Sequence, residues 1–184
     1  MQRPPQNRPS WNKAAALVIV LAAVSTMLVG TPASASQTDE VFHWSRRTIY
    51  VNDHTDGRWP LTAAAARWNA GGSVRIHVGH WCRVGYPCVH VYSRYSWGPY
   101  VGQTPISAYY SKLTSAVITM NSRFAGWSWA RRAGFMTHEM GHALGLSHDG
   151  WASSVMYPRI GASNSRPTSY DLGLVRRSYS GQPW

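Results

Sequence analysis

Apolar and polar positions alternate with a period of two in RRTIYV (46–51), where Ile49 and Val51 share a face, and this predicts a first strand. LTAAAARWNAGG (61–72) replaces the alternation with an alanine run of high helix propensity, with Thr62 as the expected N-cap and Gly71-Gly72 as the stop. Period two returns in SVRIHV (73–78), placing Val74, Ile76 and Val78 inward and Arg75 and His77 outward. Strand, helix and strand in that order predict a βαβ unit with parallel strands. CVHVYSRYSW (88–97) reads as a short strand running into an aromatic loop, and SAVITMN (115–121) as a strand ending at a polar turn. Between them, residues 98–111 are rich in Gly, Pro, Ser and Tyr and read as loop or edge strand. From about Ser128 to Leu144 the spacing is helical, 145–167 is irregular, and a last helix is expected over about 169–179, capped by Thr168 or Ser169. No internal repeat or low-complexity tract interrupts 36–184. The order predicts one small α+β domain, with its sheet early and its irregular structure late.

Ahead of these elements stands a segment of different composition. Arg3, Arg8 and Lys13 precede an apolar run from Ala14 to about Gly30, followed by the small residues Ala33-Ser34-Ala35. That is the pattern of a secretory signal peptide over 1–35, leaving a mature chain Ser36–Trp184. An uncleaved anchor is the competing reading, but the run sits near the lower limit of roughly 17–25 residues for spanning a bilayer. The remaining 149 residues suit a single domain.

Export gives the two cysteines, Cys82 and Cys88 in WCRVGYPC, an oxidising compartment. A disulfide between them closes a Gly/Pro turn and stabilises by about 2 kcal/mol on the loop-entropy argument. A metal-binding pair is the alternative, against which stand the five intervening residues and the lack of a second pair. Removing Arg3, Arg8 and Lys13 leaves fifteen Lys/Arg against seven Asp/Glu, a formal charge of +8. Such a surface attracts acidic polymers; because the arginines are scattered, general solubility explains it more simply, and no specific nucleic-acid partner is expected.

The chemistry concentrates in MTHEMGHALGLSHDG (136–150). Residues four apart on a helix share a face, so His138 and His142 can aim at one point. Glu139 projects about 100° around from His138, where it can reach a metal-held water as a general base. A catalytic zinc takes three protein ligands and keeps one position open. The third ligand is then His148, brought back by Gly145, which can adopt the positive φ that ends a helix. The simpler account, a histidine-rich helix, explains an isolated His pair but not a third His at this spacing.

HEMGHALGLSH (138–148) resembles the metzincin pattern H-E-x-x-H-x-x-G-x-x-H at every defined position, and SSVMYP (153–158) resembles the methionine turn of these zinc peptidases. Met156 followed by Tyr157-Pro158 is most similar to the matrixin branch. The resemblance implies a zincin-like α+β domain: a small twisted mixed sheet, a long active-site helix and a C-terminal helix. It implies one catalytic Zn(2+) on His138, His142 and His148, Glu139 as base, and Met156 as the turn residue beneath the site. It also implies Tyr157 at the wall of the pocket for the residue after the scissile bond. Asp171, in TSYDLGLV, is similar to the aspartate that braces the methionine turn; an exposed helix aspartate is its other reading.

The chain departs from the matrixin pattern in three ways. Asp149 stands where Ser or Thr is usual. No pro-domain or cysteine-switch segment is found between Ala35 and the first strand, and the scarcity of carboxylates argues against structural calcium. His77, His80 and His90 could hold a second zinc, but dispersed surface polarity explains them more simply. The sequence thus predicts a secreted, extracellular, monomeric zinc endopeptidase acting on protein or peptide substrates, free of the membrane once its signal is removed. The rival is a secreted polymer-binding module using VYSRYSWGPY (91–100) and a structural zinc.

Overall fold

The computed structural model describes residues 42–161 and 164–184; the expected signal segment, 1–35, lies outside them. β1 (Thr48–His54) starts two residues later than the pattern suggested and buries Ile49 and Val51. α1 (Leu61–Asn69) begins one residue before Thr62, which is therefore not its cap: Pro60 holds that position, with no side-chain cap bond. The buried Leu61 must lie on the helix, and proline tolerates a helix start, where an N–H has no intrahelical partner. The helix also ends before Gly71-Gly72. Asn69 accepts from Ile76 N at 2.7 Å and donates to Ile76 O at 3.0 Å, drawing the chain directly into the next strand.

That strand, β2 (Arg75–Gly79), buries Ile76 and leaves Val78 half-buried at the sheet edge. Then come β3 (Cys88–Arg94), β4 (Gly102–Gln103), β5 (Ile106–Tyr109) and β6 (Lys112–Asn121). The stretch 98–111 thus contains two short strands, both antiparallel to β6, which is itself longer than the 115–121 pattern implied. The sheet order is β2-β1-β3-β6-β4, with β5 also on β6. β1 pairs in parallel with β2 and β3, and β3 with β6, through Ile49↔Ile76, Val51↔Val89 and Val91↔Ile118. These six side chains are all buried. The Cys82–Cys88 disulfide closes the loop between β2 and β3.

α2 (Trp129–Ala143) is capped by Ser128, and every residue from Met136 to Gly141 is buried. It ends where predicted: Gly145 lies at φ +98. Gly145 N donates to His142 O at 2.8 Å and Leu146 N to Gly141 O at 3.0 Å, a Schellman ending. A Cβ on Gly145 would overlap the Phe42 carbonyl, so both φ and space require glycine. α3 (Ser169–Ser178) is capped by Thr168 in a reciprocal box with Asp171. Among the described residues the result is a mixed sheet with three α-helices, compatible with an α+β domain. Among the described residues no helix is long and apolar enough to cross a membrane.

Both ends of the described chain meet at the end of α2. Trp44 Nε1 donates to Ala143 O at 2.8 Å, and the Tyr179 hydroxyl donates to Leu144 O at 3.1 Å while accepting from Trp44 N at 3.4 Å. These bonds satisfy carbonyls that a helix end leaves without intrahelical partners. Tyr179→Phe strands Trp44 N and Leu144 O in a buried site. The expected cost is about 1–3 kcal/mol, read as a lower urea midpoint with unchanged far-UV circular dichroism; an unchanged midpoint would show the hydroxyl to be dispensable.

Candidate metal centre

One turn of α2 brings His138 and His142 together, and the glycine ending returns the chain so that His148 joins them. The three Nε2 atoms form a triangle with every side 3.1 Å. Backbone carbonyls orient two of the rings: His138 Nδ1 donates to Val155 O at 2.6 Å and His142 Nδ1 to Leu146 O at 2.7 Å. A carbonyl oxygen only accepts, so in the neutral rings the proton is on Nδ1 and each Nε2 presents a lone pair. Two lone pairs at 3.1 Å repel unless a cation lies between them. Nitrogens held about 2.0–2.1 Å from a tetrahedral zinc stand roughly 3.3–3.4 Å apart, close to the spacing found. The donor set, its geometry and its fixed tautomers fit a zinc ion.

Burial tunes the same groups. It holds the His138 imidazole down to about 3, helped by His142 and opposed by the Val155 carbonyl. His142 is held at about 4, again mainly by burial. His148 is lowered by desolvation, with Asp149 opposing. Burial raises the Glu139 carboxyl to about 7, and a hydrogen bond from Thr104 Oγ1 to Oε2, 2.6 Å long, pulls the other way. A cation held by the neighbouring imidazoles would favour the carboxylate.

The turn after His148 packs against α2 and carries the carbonyl that His138 bonds. Met156 is fully buried against α2, where a side chain on Gly141 would overlap its sulfur and come 2.9 Å from Trp68 Cζ2. Asp171 is buried, not an exposed helix residue. Ser154 Oγ donates to its Oδ1 at 2.5 Å, and Val155 N at 3.3 Å and Thr168 N at 2.7 Å donate to its Oδ2. It thereby ties α3 to the turn whose next carbonyl, that of Val155, orients His138. Asp149 N donates to Met156 O at 3.2 Å, joining the third histidine's segment to the same turn.

A cleft of about 690 Å³ opens over the triangle. Residues 99–105 form one wall, Phe135, His138, Glu139 and His142 the floor, and Pro158 and Ile160 the opposite wall. Tyr157 is half-buried and is not among the lining residues; its successor Pro158 is. Thr104 escaped the sequence reading because it lies in a segment with no periodic pattern, and the Val155 and Leu146 carbonyls escaped because backbone groups leave no trace in residue type. Of the other histidines, His77 stacks on Tyr50 and His80 Nδ1 bonds the Asp53 carbonyl at 3.0 Å. Among the described residues, His90 lies in a group of candidate ligands with Cys82 and Cys88.

The metal-free protein should lose stability in mild acid. Unfolded histidines take protons near 6.5, whereas His138 and His142 resist them until about 3 and 4. Their contribution is full above 6.5 and is lost as pH falls toward those values. Glu139, raised to about 7, contributes in the opposite sense, its stabilisation being lost as pH rises through 7. Two imidazoles outweigh one carboxyl, so stability should fall by on the order of 1 kcal/mol per pH unit between about 6.5 and 4.5. Urea midpoints in chelator across this range measure it; a midpoint that rises on acidification would contradict it.

The family model Peptidase_M10, described as matrixin, matches residues 118–179, from β6 through α2 and the turn to the end of α3. No curated protein matches the chain. A chain of the solved structure titled "GM1 bound form of the ECX AB5 holotoxin" superposes with a TM-score of 0.50 at 14% identity, over 72% of this chain and 80% of that one. At that identity the likeness concerns the fold alone. The segment from Ile118 to Tyr179 is therefore similar to a matrixin zinc peptidase.

Proposed function

We propose that this chain is a secreted zinc endopeptidase of the matrixin type, with His138, His142 and His148 as metal ligands and Glu139 as general base. The observation that carries the proposal is the 3.1 Å triangle of imidazole nitrogens on the floor of a cleft that also contains a buried glutamate. A purely structural zinc closes with a fourth protein ligand and needs no base. Zinc held there would supply Lewis acidity, lowering the pKa of a water from 15.7 to about 7 and polarising a peptide carbonyl. Glu139 would accept a proton from that water and pass it to the leaving amine. Thr104 ties down Oε2 and leaves the other oxygen to carry that proton. The buried Met156 and Asp171 support the floor, and the cleft accepts an extended chain between 99–105 and the 158–160 segment. Export by the segment 1–35 and cleavage after Ala35 belong to this proposal; the disulfide is consistent with an oxidising destination.

The second reading, a polymer-binding module, draws on the exposed Tyr95 and Trp97, whose rings meet edge to face at 5.2 Å, and on Tyr100 at the rim of the cleft. The two readings separate on one experiment with an unfolded protein substrate. Wild-type protein should cleave it in a chelator-sensitive manner. Glu139→Gln should retain zinc and lower kcat/KM by about 10²–10⁴, whereas His142→Ala should lose zinc and activity together. A zinc-loaded Glu139→Gln protein as active as wild type would overturn the mechanism, and a zinc-loaded wild type that binds the substrate without cutting it would favour the binding module.

A further inference from the structure

A second set of metal donors lies on the sheet, remote in sequence from the first. Cys88, His90 and Tyr92 alternate along β3 with the buried Val89 and Val91, so they emerge on the face opposite those core side chains. Cross-strand pairing places Asn52 of β1 beside His90 and His54 beside Tyr92. His90 Nε2 lies 3.4 Å from Cys88 Sγ, and its Nδ1 lies 3.1 Å from His54 Nε2. The donor atoms of Cys82, Cys88 and His90 all fall within 4.8 Å of one another. His54 also stacks on Tyr92, ring centroids 4.6 Å apart, which fixes its plane.

We propose that this is a latent thiolate–imidazole site for a thiophilic divalent cation such as zinc, closed while Cys82 and Cys88 are joined and opened by reduction. The S–S bond accepts two electrons from an external thiol or phosphine reductant and takes up two protons, giving two thiols. Metal binding then releases those protons and recruits both thiolates with His90 Nε2. A zinc–sulfur distance of about 2.3 Å in tetrahedral geometry asks for sulfurs roughly 3.7–3.8 Å apart, a separation that two non-bonded sulfurs reach with little movement of the loop. The five residues between the cysteines exceed the usual metal-binding spacing, but β3 anchors Cys88 and the folded loop already brings Cys82 to it. His54 completes the arrangement: with His90 Nε2 on the ion, His90 Nδ1 carries the proton and donates it to His54 Nε2. Metal-ligating histidines ordinarily have such an orienting partner. His54 is thus a positioning residue and His90 the ligand.

The test is cobalt(II) titration of the full domain with and without a phosphine reductant, which does not compete as a thiol would. Oxidised protein should show no thiolate-to-cobalt charge-transfer band in the near ultraviolet. Reduced protein should bind one additional ion and show that band. His90→Ala should weaken the additional site by tenfold or more, His54→Ala by about tenfold, and Cys82→Ser/Cys88→Ser should abolish the band while leaving any ion on the His138 triangle in place. The band reports sulfur alone, so the result is independent of whether the histidine triangle holds metal. Absence of the band after reduction overturns the proposal. So does a band indifferent to His90→Ala, which is what unfolded thiols would give, or an additional ion bound equally well by the oxidised protein.

Discussion

Two hydrogen bonds from imidazole to backbone, His138 Nδ1 to Val155 O and His142 Nδ1 to Leu146 O, are what the rest of the site depends on. They fix the tautomers and the planes of both rings, and so decide that the remaining nitrogens converge as lone pairs. Each carbonyl has to be placed by structure that the histidines do not supply. Leu146 O is placed by the glycine ending of α2, and Val155 O by the turn that Asp171 holds. A helix alone would bring two imidazoles near each other without settling which nitrogens they present. Asp171 lies in another helix and touches none of the three imidazoles, yet its oxygens anchor the turn that orients one of them.

The same desolvation that makes the imidazoles poor proton binders makes Glu139 a reluctant anion. In an apolar floor neither group is at ease alone, and the two preferences are reconciled by a cation: it satisfies the lone pairs and offers the carboxylate a partner. Thr104 adds a smaller contribution in the same direction, reaching from the 99–105 wall of the cleft. The centre is therefore a set of groups whose separate burial penalties share one remedy.

Period-two and helical patterns carried most of the element order, because the sheet buries one face and α1 and α2 pack against one another. The boundaries that shifted did so for tertiary reasons. Asn69 bonds Ile76 on both sides and cuts α1 short of its glycines, and the burial of Leu61 starts it at Pro60 instead of Thr62. The stretch 98–111 read only as loop or edge strand, and its two short strands had no individual signal, since strands of two and four residues are specified by their partner β6 more than by their own composition. At the site, the convergence of His138 and His142 and the place of Glu139 beside them were legible because helix geometry converts spacing into direction, and the return of His148 because Gly145 marks where the helix ends. Thr104 was not, for it reaches Glu139 from an irregular wall, and the place of Tyr157 relative to the cleft depends on the course of the chain after Met156, which packing sets.

The end of α2 has one further property. Trp44 and Tyr179, separated by 135 positions, both bond its final turn, and Arg47 N reaches Pro183 O. The domain is in effect buckled: residues 42–47 and 179–184 clasp each other over the helix that carries the histidines. The Trp44 indole finds its partner, Ala143 O, on α2, whereas the Trp44 amide finds its partner, the Tyr179 hydroxyl, only at the end of α3, a contact that closes a long loop. The sheet can form without the clasp, so the last turn of α2 gains these hydrogen-bond partners only when segments from both sides of the helix in sequence reach it.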